Sequence, residues 1–188
     1  MARPRMTQSI PRFEVVVETY HDELYRYIWR MLNTANRTDA PDESGDLTQE
    51  TFMRAYRAYP RLRADSNVRA WLYKIATNCV YSALKRDRRK FGATIPLLDE
   101  HDEVADQPGA APDMQFLAGE AAEAVQEAIA GLPAKQRAAL VMRYVQELDY
   151  AEIAVSLDCS EDSARANVYQ AIKRLRVNLG AEASQEVM

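Results

Sequence analysis

The sequence predicts an all-α fold in which two helical domains are joined by a flexible acidic linker. Apolar residues recur at three- and four-residue steps in several long segments, and no segment alternates as a strand would. Between these segments, residues 92–113 combine prolines, glycines and acids without an apolar period. We therefore expect one domain at 10–91 and another at 114–180, with residues 92–113 as the linker.

The first domain is predicted to contain three helices. Residues 13–32 keep an apolar stripe at helical spacing, whereas residues 33–45 have the Asn, Asp, Pro and Gly content of a loop. A second helix is expected to begin near Asp46 and to stop at Pro60. The third, residues 67–90, is the longest, and cations crowd its last two turns, where they also suit the helix dipole.

The second domain is predicted to end in two helices around a short turn. An Ala- and Glu-rich helix is expected over 114–129, and Pro133 opens the next helix at a position that proline favours. Asp149 and Glu152 have the spacing of a capping box, and a serine caps a further helix over about 160–176. This pattern is typical of a helix-turn-helix; a helical hairpin with a solvated polar face is the alternative.

Charge is segregated along the chain. The net charge is −4, but residues 54–90 hold eleven lysines and arginines against two aspartates, and residues 91–130 hold nine acids and no cation. The basic segment is suited to phosphate, and the acidic one offsets it in the total. The chain has no long apolar run and no signal peptide, so we expect a cytoplasmic protein without a membrane contact.

The sequence offers no constellation for catalysis. His21 and His101 have no partner at a spacing that acid–base chemistry needs, and no glycine-rich phosphate loop occurs. Cys79 and Cys159 lie far apart without neighbouring Cys or His, which argues against a zinc site and for two buried thiols. We expect no catalytic residue, no metal and no cofactor.

The basic helix also carries aromatic residues. Trp71, Tyr73 and Tyr81 interleave with its cations, and rings that stack bases beside cations that follow phosphates suit single-stranded DNA. Core packing of Trp71 and plain solvation of the cations are the alternatives.

Three stretches in family order and spacing resemble the extracytoplasmic-function sigma factors, the two-domain sigma subunits of bacterial RNA polymerase. These are "DLTQETFMRAYRAYPRL", "VRAWLYKIATNCVYSALKRDRR" and "LPAKQRAALVMRYVQELDYAEIAVSLDCSEDSARANVYQAIKRLR", which are similar to the family's regions 2.2, 2.3 to 2.4, and 4.1 to 4.2. The resemblance implies that 10–91 is a region 2 domain and 114–180 a region 4 domain. It also implies a promoter-specificity subunit, not an enzyme, that requires core RNA polymerase.

The resemblance assigns three surfaces. Binding of core polymerase is implied for Asp46, Gln49, Glu50, Phe52, Arg54 and Tyr56, with partial core packing as the alternative for Phe52 and Tyr56. Recognition and melting of the minus-10 element, with capture of its single strand, is implied for Arg63, Asn67, Asn78, Tyr81, Ser82, Lys85 and Arg86. Binding of the duplex minus-35 element is implied for Arg165, Asn167, Tyr169, Gln170, Lys173 and Arg174.

Within the minus-35 set, residue chemistry separates two roles. Arg165, Asn167 and Gln170 have the side chains that read base edges, whereas Lys173 and Arg174 are suited to phosphates. The family commonly has Lys-Ser-Arg where this chain has Arg-Ala-Asn at 165–167, and Gly-Thr where it has Asp-Ser at 162–163. These departures bear on minus-35 specificity, not on the fold.

The resemblance also implies binding partners for the chain. Core polymerase, promoter DNA and an anti-sigma factor are the implied partners. Relatives thread the acidic segment through the polymerase interior, and a plain solvated linker is the alternative.

Two competing functions remain open: a free-standing helix-turn-helix regulator, and a helical interaction module without DNA binding. The basic, aromatic helix favours the sigma factor, because a regulator of duplex DNA has no use for a single-strand surface.

Overall fold

The structure is a computed structural model that describes residues 10–33, 40–91 and 122–185. Within these ranges the chain forms helices and no strand, so the predicted all-α class is confirmed. The first group of helices is α1 (Phe13–Leu32), α2 (Ala40–Ala58) and α3 (Val68–Phe91), with a 3-10 turn at Tyr59–Arg61 between the last two. The second group is α4 (Ala122–Ala130), α5 (Ala134–Tyr144), α6 (Tyr150–Leu157) and α7 (Glu161–Gln185).

The start of α2 corrects one prediction. Residues 40–45, expected to belong to a loop, form its first turns. Pro41 in the first turn has no backbone N–H to leave unpaired, and Asp42 and Glu43 suit the positive end of the helix. The helix end is as predicted, because α2 stops at Ala58 and Pro60 lies in the 3-10 turn.

The apolar residues of the first group of helices belong to a core that continues into the second group. From α1, Leu24, Ile28 and Leu32 are fully buried, and they pack with Leu72 and Val80 of α3. Tyr27 shares a buried hydrogen bond of 2.8 Å with Thr77, so one polar pair is satisfied within this core. This packing leaves Lys85, Arg86 and Arg89, near the end of α3, exposed at the surface.

The helix-turn-helix predicted in the second group is present. The capping box at α6 is complete, since Asp149 accepts from the Glu152 N–H at 2.7 Å and Glu152 accepts from the Asp149 N–H at 3.0 Å. Asp158 turns the chain with a left-handed φ of 54°, which aspartate tolerates better than most residues, and Ser160 caps α7 through the Ser163 N–H at 3.1 Å. The apolar positions expected in this helix are buried: Ala164, Val168, Ala171, Ile172 and Leu175.

Two boundaries differ from the prediction. α7 continues to Gln185 instead of ending near Arg176, because no glycine or proline interrupts it before Gly180, and glycine is tolerated in a helix at a cost of about 1 kcal/mol. α4 begins at Ala122 among the described residues, whereas the predicted linker 92–113 and the start of the predicted helix at 114–121 lie outside them. None of the helices that the structure describes is long and apolar enough to cross a membrane.

The two groups of helices pack against each other. α6 lies on the first half of α3, and α5 approaches the end of α1. The fully buried Arg137 of α5 joins them, because its guanidinium donates to Met31 O of α1 at 2.9 Å and to two carbonyls of its own group, those of Ala130 and Leu132. These bonds satisfy carbonyls that the ends of α1 and α4 leave unpaired.

Candidate nucleic-acid interface

The second half of α3 presents an exposed cationic surface. Ser82, Lys85, Arg86 and Arg89 line an open depression of about 480 Å³, and their spacing places them on one face of the helix. Arg86 pairs with Glu43 at 3.1 Å, and the Ser82 hydroxyl donates to Asn78 O at 2.8 Å. The surface can hold an anionic chain of several phosphates.

Other predicted minus-10 residues lie at the first half of α3 or before it. Arg63 makes a bidentate pair with Asp65 at 3.0 and 3.1 Å in the exposed turn before the helix. Asn67 caps α3 by accepting from the Ala70 N–H at 3.0 Å, while its amide nitrogen donates to Glu152 of α6 at 3.0 Å. Asn67 is thus in contact with the second group of helices.

The aromatic residues of α3 are less exposed than the interleaved pattern suggested. Tyr73 is buried and donates to Glu23 at 2.9 Å, so its ring is a core residue, and burial raises its pKa above the ordinary value of 10.0. Trp71 packs against the core beside Tyr59, with ring centroids 6.0 Å apart. The Tyr81 hydroxyl is buried without a hydrogen-bond partner, and desolvation likewise raises its pKa. A stacking surface made of all three rings is therefore wrong for this arrangement.

The solvent face of α7 carries the predicted minus-35 residues. Arg165, Lys173 and Arg174 are exposed, and Tyr169 and Gln170 are half-buried on the same helix. Arg165 stacks its guanidinium over the Tyr150 ring at 4.4 Å and lies 3.6 Å from Glu161. The Asn167 amide donates to Ser163 O at 2.7 Å, so one of its two N–H groups is engaged within its own helix.

An apolar groove lies on the other face of the first group of helices. It has a volume of about 610 Å³ and lies between α1 and α2. Tyr56 and Met53 are 64% and 51% exposed at its rim, whereas Phe52 is buried at its floor. Among the predicted polymerase-binding residues, Gln49 also lines the groove, Asp46 is exposed nearby, and Arg54 pairs with Glu50 at 2.6 Å.

Sequence reasoning missed three residues of these surfaces. Arg89 continues the face of Lys85 and could have been found from its i, i+4 spacing. Met53 was not singled out because a methionine in an amphipathic helix ordinarily belongs to the core. Tyr150 stacks on both Arg165 and Arg143, and no local pattern predicts this contact because the three residues lie on different helices.

No group of three His, Cys, Asp or Glu residues that could hold a metal occurs in the part of the chain that the structure describes. Cys79 is buried, as expected, whereas Cys159 is half-buried, and both are free thiols.

Comparison with known proteins decides the family. The model of Sigma-70 region 2 matches residues 16–90, and that of Sigma-70 region 4 matches residues 122–175. The ECF RNA polymerase sigma-E factor of Escherichia coli K12 is 30% identical over 152 residues, which are 78% of each chain. The chain belongs to the extracytoplasmic-function sigma factors. SigW of Bacillus subtilis, a sigma factor of the same family, is 27% identical over 89% of this chain and 88% of its own length.

The fold of this sigma factor agrees with a solved structure. The sigma factor RpoE of Bartonella quintana, in complex with the anti-sigma factor NepR, has a TM-score of 0.63 at 21% identity and covers 89% of this chain and 96% of its own. The predicted resemblance is thus confirmed. A sigma factor is a transcription initiation factor rather than an enzyme, and it acts with RNA polymerase on promoter DNA.

Proposed function

We propose that this sigma factor directs core RNA polymerase to promoters with a minus-35 and a minus-10 element and promotes melting at the second. The observation that carries the proposal is the presence of two exposed basic helical faces in one chain. One is the face of α3 with Lys85 and Arg89, and the other is the face of α7 with Arg165, Lys173 and Arg174. Two such faces suit two DNA elements, whereas a helix-turn-helix regulator needs only the second.

At the minus-35 element, α7 is expected to enter the major groove. Its buried stripe holds the helix on α5 and α6, which leaves the opposite face for DNA. Arg165 can donate two hydrogen bonds to guanine, and Asn167 or Gln170 can pair with adenine in the same bidentate manner. Lys173 and Arg174 follow one turn later and are suited to phosphates, which fix the register of the helix on the duplex.

At the minus-10 element, the second half of α3 is expected to hold the displaced single strand. Lys85, Arg86 and Arg89 supply the cations, and Asn78 and Ser82 supply exposed polar groups on the preceding turns. Unstacking costs on the order of a few kcal/mol, and contacts that exist only with the separated strand can offset that cost.

Core polymerase is proposed to bind the groove between α1 and α2. An exposed apolar rim with polar residues around it is the usual anatomy of a protein–protein interface. Tyr56, Met53 and Gln49 are the residues that such a partner would cover.

An anti-sigma factor is also proposed as a partner. The structural relative RpoE was solved with the anti-sigma factor NepR.

We further propose the domain boundaries 10–91 and 114–180. The acidic segment 92–113 between them is proposed to follow the basic interior of the polymerase.

Transcription in vitro tests the proposal. Purified core RNA polymerase is supplied with pooled genomic promoter fragments, with and without the protein, and the transcript starts are sequenced. Protein-dependent starts that share two upstream elements are expected. Tight duplex binding by the protein alone, with no transcripts, would instead indicate a free-standing regulator.

A variant pair links this assay to the α3 surface. Lys85→Ala combined with Arg89→Ala is expected to reduce protein-dependent transcripts at least tenfold. The control, Arg12→Ala with Arg26→Ala, removes two exposed cations near and on α1 and is expected to retain activity. Equal loss in both would show that the assay responds to net charge only.

A further inference from the structure

The guanidinium of Arg165 is held over an aromatic ring of the neighbouring helix. Its Cζ lies 4.4 Å from the centre of the Tyr150 ring, and Tyr150 is the first residue of α6. The arginine side chain is 44% exposed, so the stacked guanidinium remains accessible from solvent. The residue best suited to reading guanine thus has a defined position on the surface of the helix-turn-helix.

The Tyr150 ring is itself held in place by two contacts. The guanidinium of Arg143, on α5, lies 4.9 Å from the centre of the same ring, and its Nη1 donates to Leu148 O at 3.0 Å. The backbone at the start of α6 is fixed by the capping box at Asp149. The ring is therefore part of a framework that α5 and α6 build together.

Stacking leaves the hydrogen-bonding edge of a guanidinium free. A guanidinium over a ring is bound through its flat face, whereas its five N–H groups point outward in the plane. An ion pair with a carboxylate occupies that edge instead. Arg165 has both kinds of contact, because Glu161 lies 3.6 Å away, but these two side chains are 44% and 54% exposed, so another acceptor readily replaces the carboxylate. The ring contact can persist while two N–H groups bind one guanine.

The orientation of this guanidinium matters for recognition more than for attraction. The charge of Arg165 attracts DNA in any orientation, but two parallel hydrogen bonds to a base edge require a defined plane and direction. A long side chain that is already ordered in the free protein also loses less conformational entropy on binding. A ring below the arginine therefore favours the correct base over the others and leaves binding to phosphates almost unchanged.

We propose that Tyr150 is a positioning residue for minus-35 recognition: its ring orients Arg165 so that the guanidinium reads one guanine of the element. This inference rests on the proposed function and names a residue that determines specificity without contacting the base. Helix α7 supplies the side chain that reads the base, and α5 and α6 supply its orientation.

Two other roles for Tyr150 lead to different predictions. A hydroxyl that binds a phosphate would be lost in Tyr150→Phe, and the loss would be the same for every DNA sequence. A ring that holds Arg165 away from DNA would make Tyr150→Leu more discriminating than the wild type. Orientation by the ring requires that Tyr150→Phe retains discrimination and that Tyr150→Leu loses it, because leucine has no π face.

The test measures base discrimination by the holoenzyme. Core RNA polymerase with each variant is bound to fluorescent promoter DNA in which every minus-35 base pair is substituted in turn, and anisotropy gives the dissociation constants. The base pair that Arg165 reads is the one whose substitution weakens binding by the wild type but not by Arg165→Ala. Tyr150→Leu and Tyr150→Phe are compared at that pair, and the other base pairs are internal controls for correct folding. Glu161→Gln is the matched variant, because it removes the ion-pair partner of the same guanidinium.

At the base pair that Arg165 reads, we expect the wild type to discriminate by about tenfold or more, which is the range of a bidentate contact. Tyr150→Leu should reduce this ratio to about threefold or less and keep the wild-type ratios at the other base pairs. Tyr150→Phe and Glu161→Gln should retain the wild-type ratio at every pair.

Wild-type or greater discrimination by Tyr150→Leu would overturn the inference, because the ring would then not orient the arginine. Equal losses in Tyr150→Leu and Tyr150→Phe, or in Tyr150→Leu and Glu161→Gln, would also overturn it, and so would a loss in Tyr150→Leu at every base pair. If Arg165→Ala discriminates like the wild type at every base pair while the wild type still selects its promoters, the inference fails and the proposed function stands. If the wild-type holoenzyme does not distinguish promoter from scrambled DNA, the proposed function itself fails.

Discussion

Arg137 shows how a single residue stabilises the contact between the two groups of helices. Its guanidinium is fully buried and donates to carbonyls of both groups. Among the described residues it makes no ion pair with a carboxylate, and desolvation lowers its pKa to about 10. Burial of a charge is costly, and the hydrogen bonds to three carbonyls offset part of that cost.

Arg137→Met is expected to lower the free energy of unfolding by about 2–4 kcal/mol, because three buried carbonyls lose their donor. Arg137→Lys should lose less, since an ammonium can still reach part of this set. Urea denaturation measures both, with Lys135→Met on the same helix as control. A loss no larger than that of the control would mean that water replaces the guanidinium.

The buried tyrosines predict an alkaline limit to stability. Burial raises the pKa values of Tyr27, Tyr73 and Tyr81 above the ordinary 10.0, so their contribution is complete below pH 10 and is lost as pH rises above it. In that range each such tyrosine lowers the free energy of unfolding by about 1.4 kcal/mol per pH unit. Arg137 has a lowered pKa and acts in the opposite direction, because its buried charge is relieved above about pH 10.

Tyr81→Phe tests this account without removing a hydrogen bond, since its hydroxyl has no partner. At pH 8 the variant should be as stable as the wild type or more stable. Between pH 10 and 11 the free energy of unfolding should fall less in the variant than in the wild type, and the difference is the contribution of one tyrosine. Denaturant titrations of both proteins at four pH values give the free energy of unfolding as a function of pH. Parallel curves for the variant and the wild type would contradict the role of Tyr81.

At the scale of helices, periodicity and caps predicted most of the fold. The bounds of α1 and the capping box of α6 follow from local sequence alone. The start of α2 was missed because Pro, Asp, Ser and Gly suggest a loop, whereas Pro and Asp also suit a first helical turn. α7 runs beyond the predicted end near Arg176. No stop signal follows that residue directly, and the absence of a stop signal is weak evidence for where a helix ends.

The predicted site residues divide in the same way. Exposed cations such as Lys85 and Lys173 could be placed by helical period alone. Tyr81 and Asn67 could not, because their environment is made by helices distant in the chain, α5 and α6. A polar contact between the two groups of helices does not change the spacing of apolar residues in either group, so the sequence pattern does not reveal it.

The recognition helix provides a prediction at this scale. Arg165→Ala is expected to cost about 1–3 kcal/mol on the cognate minus-35 element and little on a scrambled one, because a bidentate base contact is lost. Lys173→Ala should weaken both DNAs by a similar factor, since a phosphate carries no sequence. Holoenzyme binding to the two DNAs by fluorescence anisotropy separates these outcomes. Equal loss for Arg165→Ala on both DNAs would reject base reading by this residue.

At the scale of the whole molecule, a few polar side chains link the two groups of helices. Arg69 is one of them, since it donates to Glu23 of α1 and to Gln146 O between α5 and α6. Glu23 and Glu152, the carboxylates on either side of it, are only 19% and 18% exposed. Without the guanidinium, two partly buried like charges face each other across the contact, and their repulsion favours separation.

Arg69→Met is therefore expected to expand the free protein. A compact chain of this length has a radius of gyration of about 16 Å, and separation of the groups raises it toward roughly 20 Å or more. Small-angle scattering measures the change, and an unchanged helical circular dichroism spectrum distinguishes opening from unfolding. Arg61→Met, which removes an exposed cation from the preceding 3-10 turn, is the matched control. If both variants scatter like the wild type, the contact does not depend on Arg69, and apolar packing between α3 and α6 is sufficient to hold the groups together.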